Sequence, residues 1–305
     1  MISGVINLLK PPGMTSHDAV SFVRRTFRQK KVAHRGTLDP AAAGVLPVYL
    51  GCATRLVEYG EDFDKEYRAE ILFGIATSTG DDTGELLRQA PVGPTALEFL
   101  EPVLATFRGT YEQVPPMYSA LKVAGRKLYE LAREGKEVVR LPRPVTIREI
   151  RLLYRQDERA GILVACSKGT YIRTLCEDIG DRLGLPATMA FLLRTRVGPF
   201  CIGQTSTLEE VTANPAAALR PPDVAVAHFP SVQVDDAGTR LLRQGQPVQA
   251  LPEYGLREAT TPVRLYSAAG CFFGMGQLEA ETGLICPKKI FGDGNDSNAA
   301  DQEPD

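Results

Sequence analysis

The sequence predicts an α+β protein in which a body with a mixed, mainly antiparallel sheet and flanking helices precedes a small C-terminal β domain. Three observations carry that expectation. Strand-like and helix-like segments alternate without a regular βαβ repeat, which disfavours a doubly wound parallel sheet. A chain of 305 residues, 44% of them hydrophobic, is long enough for about two domains. Beyond residue 230, short apolar segments are separated by glycine turns, the pattern of a small β unit.

Taken in chain order, Thr15 or Ser16 is placed to cap a helix running to about Gln29, with Val20, Val23 and Phe27 at core spacing and the arginines on the opposite side. Val45 to Leu50 is an apolar run that reads as a buried strand. Glu66 to Phe73 alternates, with Tyr67, Ala69, Ile71 and Phe73 on one face, and reads as a half-buried strand. Ile162 to Ala165 is a short buried strand. It leads into a helix from about Tyr171, whose Ile172, Leu175, Cys176, Ile179 and Leu183 form an apolar stripe closed by Gly184. The proline- and alanine-rich stretch TANPAAALRPPDVAVAHFP reads as a junction. The resulting organisation is a body over 1–211 with an insertion at about 113–143, a linker over 212–230, a β domain over 231–291 and a tail over 292–305. In the β domain, 262–266 and 271–278 are the clearest strand segments.

The formal charge of −2 conceals an uneven distribution. The tail GDGNDSNAADQEPD holds five acids, no base and no apolar residue larger than alanine, so disorder is expected there. Without it, 35 basic residues face 32 acidic ones. Six basic residues and no acid lie between Ala19 and Arg35, and seven against three acids lie between Tyr118 and Arg143. Such clusters are either solvated helix faces or phosphate-binding surfaces. Six cysteines without a C-x-x-C pair and three scattered histidines suggest neither a zinc site nor a disulfide framework. The N-terminus MISGVINLLKPPG is interrupted by Pro11 and Pro12 and lacks a basic n-region. No apolar run reaches the length of a membrane span, and a cytoplasmic protein is expected.

The residue that asks for an explanation is Asp39, within GTLDPAAAGVLPVYL. Its neighbours Leu38, Pro40, Ala41, Ala42 and Ala43 offer no local counter-charge. The carboxylate therefore either turns out to solvent in an Asx turn or is held deliberately in an apolar pocket. This segment, together with NLLKPPGMTSHD from Asn7, KEYRAEILFGIATSTGDDTGE from Lys65, QVPPMYSALKVAGRKLYELAREG from Gln113 and CSKGTYIRTLCEDIGDRLG from Cys166, resembles the TruB family of bacterial tRNA pseudouridine synthases. Members of that family modify the T-loop uridine at tRNA position 55.

The resemblance implies a pseudouridine synthase catalytic domain and a PUA-like RNA-binding domain at the C-terminus, whose last strand is similar to GLICPKKIF. By resemblance Asp39 is the nucleophile, Arg173 its ion partner, and Tyr67 the residue that stacks on the flipped base and is a candidate for removing the C5 proton. Tyr171 and Leu192 match residues lining the uracil pocket, although Leu193 stands where members commonly carry an arginine. His34 matches the histidine that fills the space left by the extruded base. Lys10 matches a further substrate-site residue, and Lys122, Arg126 and Lys127 belong to the thumb that closes over the tRNA arm. The reaction needs no metal, nucleotide or redox cofactor, and none is expected. The expected partner is the T-arm stem-loop of tRNA, with no obligate protein partner and no membrane. Two other readings are a non-catalytic tRNA-binding or folding module and a small-substrate hydrolase. The second is disfavoured because no second acid or histidine stands at a plausible spacing from Asp39. Whether Asp39 attacks C1′, adds to C6 or assists a glycal route is open at this point.

Overall fold

The structure is a computed structural model that describes the chain except residues 120, 124, 252–259 and 293–305 and the side chain of Lys122. All of the acidic tail but Gly292 thus lies outside the described residues. Strand β1 (Gly4–Lys10) leads into helix α1 (Ser16–Phe27), then β2 (Val32–His34), β3 (Ala43–Leu50), a 3₁₀ helix (Gly51–Gly60) and β4 (Lys65–Phe73). A small hairpin, β5 (Ile75–Thr77) and β6 (Leu86–Gln89), precedes α2 (Leu100–Ala105) and β7 (Gly109–Gln113). The thumb contains the hairpin β8 (Lys122–Val123) and β9 (Arg126–Lys127) and the short helix α3 (Leu128–Arg133). The body continues through β10 (Arg143–Gln156), β11 (Arg159–Cys166), α4 (Ile172–Leu183), β12 (Ala187–Val197) and β13 (Phe200–Cys201). It ends in α5 (Leu208–Ala213), α6 (Pro215–Ala218) and β14 (Leu219–Arg220). The C-terminal domain comprises β15 (Ser231–Gln233), α7 (Asp236–Arg243), β16 (Val248–Gln249), β17 (Thr261–Tyr266), β18 (Phe272–Glu279) and β19 (Leu284–Ile290).

One ten-stranded sheet organises the body in the order β14-β1-β3-β12-β4-β11-β10-β7, with β2 added on β3 and β13 on β12. Every pairing in it is antiparallel except the short contact of β12 with β3, where Leu193 faces Ala43 and Arg194 faces Gly44. Gly44 lies at φ 120°, and a Cβ there would collide with the backbone carbonyl of Arg194, so the two strands meet only because residue 44 has no side chain.

Helix α1 starts where the sequence predicts. Thr15 caps it by accepting from the Asp18 amide at 3.0 Å, and Asp18 returns the bond by accepting from the Thr15 amide at 2.9 Å, a reciprocal capping box. It stops at Phe27, two residues earlier than expected, because Arg28 turns left-handed (φ 51°). Ala19, Val20, Val23 and Phe27 pack on Ile6, Leu8, Val48 and Leu50. On another part of the sheet, Ile172, Leu175, Cys176 and Ile179 of α4 pack with Ile71, Phe73, Ile147 and Val164, and Gly184 ends the helix in the left-handed conformation.

The stretch expected as a linker departs from that expectation. Leu219 and Arg220 pair with Ile6 and Val5 and supply the edge strand next to β1, while Ala218 joins Val211 of the body in the core under α1. An apolar strand such as β1 would otherwise expose its ladder, so the chain covers it before leaving the body. The C-terminal sheet runs β15-β17-β18-β19-β16 around Val232, Val263, Leu265, Phe273 and Ile285. It rests on the body through Leu56 and Val226 against Met275 and Phe291, with Lys289 paired to Glu58 at 3.0 Å.

Candidate active site

Asp39 sits in a turn between β2 and β3 whose backbone is held from two sides. The Asp39 carbonyl accepts from the Ala42 amide at 3.1 Å, closing the turn. From the α1 side, the Ser16 hydroxyl donates to the Leu38 carbonyl and accepts from the Leu38 amide, and the Gly13 amide donates to the Pro40 carbonyl. From the sheet side, Arg194 reaches up out of β12. Its Nε donates to the Val45 carbonyl at 2.9 Å, and its Nη2 and Nη1 donate to the carbonyls of Gly36 and Thr37 at 2.8 and 3.4 Å. Arg194 is 0% exposed. A guanidinium that far from water is tolerable because its donors are met by carbonyls at both ends of the turn.

Lys10 is also 0% exposed, which sets it apart from the substrate contact that the sequence led us to expect. Its ammonium donates to the carbonyls of Pro11, Met14 and Pro40 at 2.8, 2.7 and 3.2 Å, so its three donors are spent on the protein's own backbone. Burial, with Arg194 nearby, lowers its pKa to about 8.

Arg173, in the first turn of α4, brings a cation to the carboxylate. Its Nε stands 3.1 Å from Asp39 Oδ2, and its two terminal nitrogens donate to the carbonyls of Thr79 and Tyr118 at 2.8 and 2.7 Å. The Arg173 side chain is 7% exposed and that of Asp39 40%. The cation is therefore built into the wall while the carboxylate opens to solvent, aimed but accessible. The pairing is charge-assisted and fixed by the guanidinium's other two bonds.

Beneath this pair, Leu38, Ala42, Tyr67, Ala69 and Leu192 belong to one buried apolar cluster. The β4–β12 register places Leu192 opposite Ala69 and Arg194 opposite Tyr67, so both β12 residues share Tyr67's face of the sheet. Burial pushes the Tyr67 phenol up to about 12, with Arg194 acting in the other direction. Tyr171 precedes α4, and its backbone is clasped by buried Gln113, which donates to its carbonyl and accepts from its amide. Burial also raises the Tyr171 phenol.

His34 ends β2, and its Nδ1 is buried with no hydrogen-bond partner among the described residues. Burial first, then Arg194, lowers its pKa, so the imidazole is neutral at pH 7. Arg35 pairs with Glu61 at 3.1 Å. In the thumb, Arg126 pairs with Glu134, which also takes Lys136 at 2.9 Å, and the Lys127 ammonium lies over the Tyr129 ring at 5.4 Å. The thumb touches the site through the Tyr118 carbonyl that Arg173 holds. A separate cavity of about 300 Å³, lined by Phe107, Tyr111, Asp178 and Arg182 among others, has none of Asp39, Tyr67 and Arg173 in its walls.

The structure thus gathers Asp39, Arg173, Tyr67, Tyr171, Leu192 and His34 around one turn. It adds Arg194, which sequence reasoning passed over. The available signal was an arginine directly after the apolar run FLL, two residues from Leu192, in the strand FLLRTRV.

Comparison with known proteins agrees along the chain. Residues 24–172 match the family described as TruB family pseudouridylate synthase (N terminal domain), residues 173–222 the tRNA pseudouridylate synthase B C-terminal domain, and residues 230–291 the C-terminal domain of pseudouridine synthase II TruB. A protein of Caldanaerobacter subterraneus subsp. tengcongensis named tRNA pseudouridine synthase B is 45% identical over 291 residues, covering 95% of this chain and 99% of its own. One of Stutzerimonas stutzeri with the same name is 43% identical over 299 residues, covering 95% of each. Among solved structures, an H/ACA RNP bound to a substrate RNA containing 2′-deoxyuridine is similar at TM-score 0.72 and 25% identity, covering 96% of this chain and 86% of that one. A Cbf5-Nop10-Gar1 complex is similar at TM-score 0.71 and 26% identity, covering 95% and 85%. With three family matches spread from residue 24 to residue 291 and full-length relatives at this identity, the chain belongs to the TruB family of pseudouridylate synthases.

Proposed function

We propose that this enzyme converts the T-loop uridine of tRNA, at position 55, to pseudouridine, with Asp39 as nucleophile, Arg173 as its ion partner and Tyr67 as the platform on which the extruded base stacks. The observation that carries the reading is the half-open Asp39 carboxylate, held from behind by a buried Arg173 and set above an apolar floor of Tyr67, Ala69 and Leu192. In the reaction the C1′–N1 bond breaks, a C1′–C5 bond forms within the same nucleotide, N1 takes a proton and C5 loses one. A carboxylate serves such a step by attacking the sugar or the base, and a dry aromatic and aliphatic floor holds the detached uracil while it turns. A base stacked in a folded loop must first leave the stack. His34, neutral and with an unpaired Nδ1, is positioned to take the vacated place. Tyr171 and Leu192 close the pocket from other sides.

The enzyme acts on the folded T-arm, as a monomer without an obligate protein partner and in the cytoplasm. No helix among the described residues is long and apolar enough to cross a membrane. The thumb and the basic run before His34 provide the phosphate-binding charge. The test is tritium release from C5-labelled uridine in an unmodified tRNA transcript and in a T-arm stem-loop, with the product mapped by position. Release confined to position 55 in both RNAs is expected. Binding without release would assign the chain to a tRNA-binding or folding role, and release elsewhere would overturn the position.

A further inference from the structure

We infer that Lys65 forms a phosphate subsite, its ammonium taking a non-bridging oxygen of one phosphodiester beside the extruded nucleotide. This rests on the RNA-modifying reading above. The Lys-Glu-Tyr triplet that opens β4 contributes its tyrosine to the floor, and the strand's period of two puts Lys65 on the same face as Tyr67. The lysine stem runs alongside the turn that bears Asp39. Its Cε lies 3.6 Å, and Arg194 Nη1 3.4 Å, from the point where a Cβ on Gly36 would stand. Gly36 itself lies at φ 73°, a backbone conformation that favours glycine, and both cations pack beside it.

Lys65 differs from the three buried cations of the body among the described residues. Lys10, Arg173 and Arg194 direct their donors onto backbone carbonyls, and Arg173 adds Asp39. Lys65 is half-buried and has neither a hydrogen bond nor an ion pair from its ammonium among the described residues. The charges facing it do not supply an anion. Arg194 from β12 and Arg35 from the loop after β2 are cations. Asp64, next to it in sequence, is engaged by Arg148 at 2.6 Å, and Glu61 is engaged by Arg35. Cys166, opposite it on β11, has its thiol pushed up to about 11 by burial and is neutral. Removing an ammonium from water without a partner is costly, and burial with Arg194 accordingly lowers the Lys65 pKa. What the position lacks is a counter-ion, and the substrate is a polyanion whose backbone must pass close to Asp39 for the sugar to be reached. A single ammonium on a flexible stem suits one phosphate oxygen as a point charge.

The test is equilibrium binding of a T-arm stem-loop across a salt series by the parent, Lys65→Gln and Lys65→Arg, with thermal unfolding recorded for each. Loss of one phosphate contact should flatten the log-log salt dependence by about 0.7–0.9 in Lys65→Gln, and Lys65→Arg should restore it. A set of stem-loops, each with one uncharged methylphosphonate linkage, locates the contact. One linkage next to the target uridine should weaken the parent and leave Lys65→Gln unaffected, the signature of a coupled pair. An unchanged slope in a folded Lys65→Gln, or weakening by the same factor in parent and variant at every linkage, would overturn the subsite. Tritium release by the parent from the same RNA is read separately. An inert parent would overturn the isomerase reading, while the binding slopes would still decide the question of Lys65.

Discussion

Asp39 is fastened at one oxygen by a guanidinium that is itself fastened twice to backbone, so the carboxylate has a fixed aim and a free second oxygen. Asp39→Asn keeps the shape and removes the charge. Turnover should fall by at least about a thousandfold, the scale set by loss of a reacting group, while RNA affinity changes by less than about tenfold because phosphates supply most of the binding. Single-turnover tritium release and filter binding measure the two, and turnover within tenfold of the parent would remove Asp39 from the chemistry. For Tyr67, a phenol held near 12 is protonated throughout the neutral range, so it presents a hydroxyl to the base and acts as a proton acceptor only if the substrate's own charge change draws its proton away. The alkaline difference spectrum between the parent and Tyr67→Phe should therefore show the missing phenolate only toward pH 12. A titration centred near pH 10 would mean that the free site is wetter than its packing indicates. Asp39, Tyr67 and Arg173 could be singled out because each lies in a short segment that carries the family resemblance, and the structure brings the three together. Arg194 and the true surroundings of Lys10 were not, since their partners are backbone carbonyls, which carry no side-chain signature and come within reach only through tertiary closure.

At the scale of elements, the turn from Gly36 to Ala42 is a strap pinned by α1 on one side and β12 on the other. Gly44 is the point at which the second pin reaches it. Gly44→Ala would place a methyl against the Arg194 carbonyl at a backbone angle that disfavours side chains. It should cost about 2 kcal/mol or more of stability, seen as a lower Tm, and should slow turnover beyond the loss of folded protein. A Tm within a degree of the parent would show that the strands separate there without penalty. The thumb offers a test of opposite sign. Glu134 holds Arg126 and Lys136, so Glu134→Gln frees two cations and removes one anion from the thumb. Stem-loop binding should tighten several-fold, and its salt slope should steepen by about one unit. Weaker binding would mean that the pairing orders the thumb more than it masks it. The helices α1 and α4 and the strand β4 were readable because apolar periodicity agreed with a capping residue before α1 and a glycine after α4. The thumb's pairing was hidden, because charge counts cannot say which acid meets which base.

At the scale of the whole molecule, the C-terminal domain leans on the 3₁₀ helix of the body through Leu56, Val226, Met275 and Phe291. Leu56→Ala removes one of the two buried residues that face Met275 and Phe291 in that contact and should cost about 2–5 kcal/mol. Because the lost packing lies between domains, thermal unfolding should broaden or split into two steps while tritium release from a stem-loop at low temperature is retained. A single sharp transition at the parental Tm would show that the contact carries little load. The division into an α+β body and a small β domain was visible in the sequence. That residues 219 and 220 belong to the body's sheet was not, since a two-residue edge strand within a proline-rich stretch leaves no periodicity to read.

The parallel seam in the body's sheet, where Ala43 and Gly44 meet Leu193 and Arg194, has a consequence for the order in which the molecule assembles. Nearly 150 residues separate its two sides, so its closure carries a large chain-entropy cost and cannot be made by any local hairpin. The segments around Tyr67 and Arg173 have nearer neighbours to fold against. The aspartate's turn lacks its second pin until β12 has been synthesised and docked. During translation the turn that bears Asp39 therefore stays open on its sheet side until β12 arrives, however much structure the chain has gained before it.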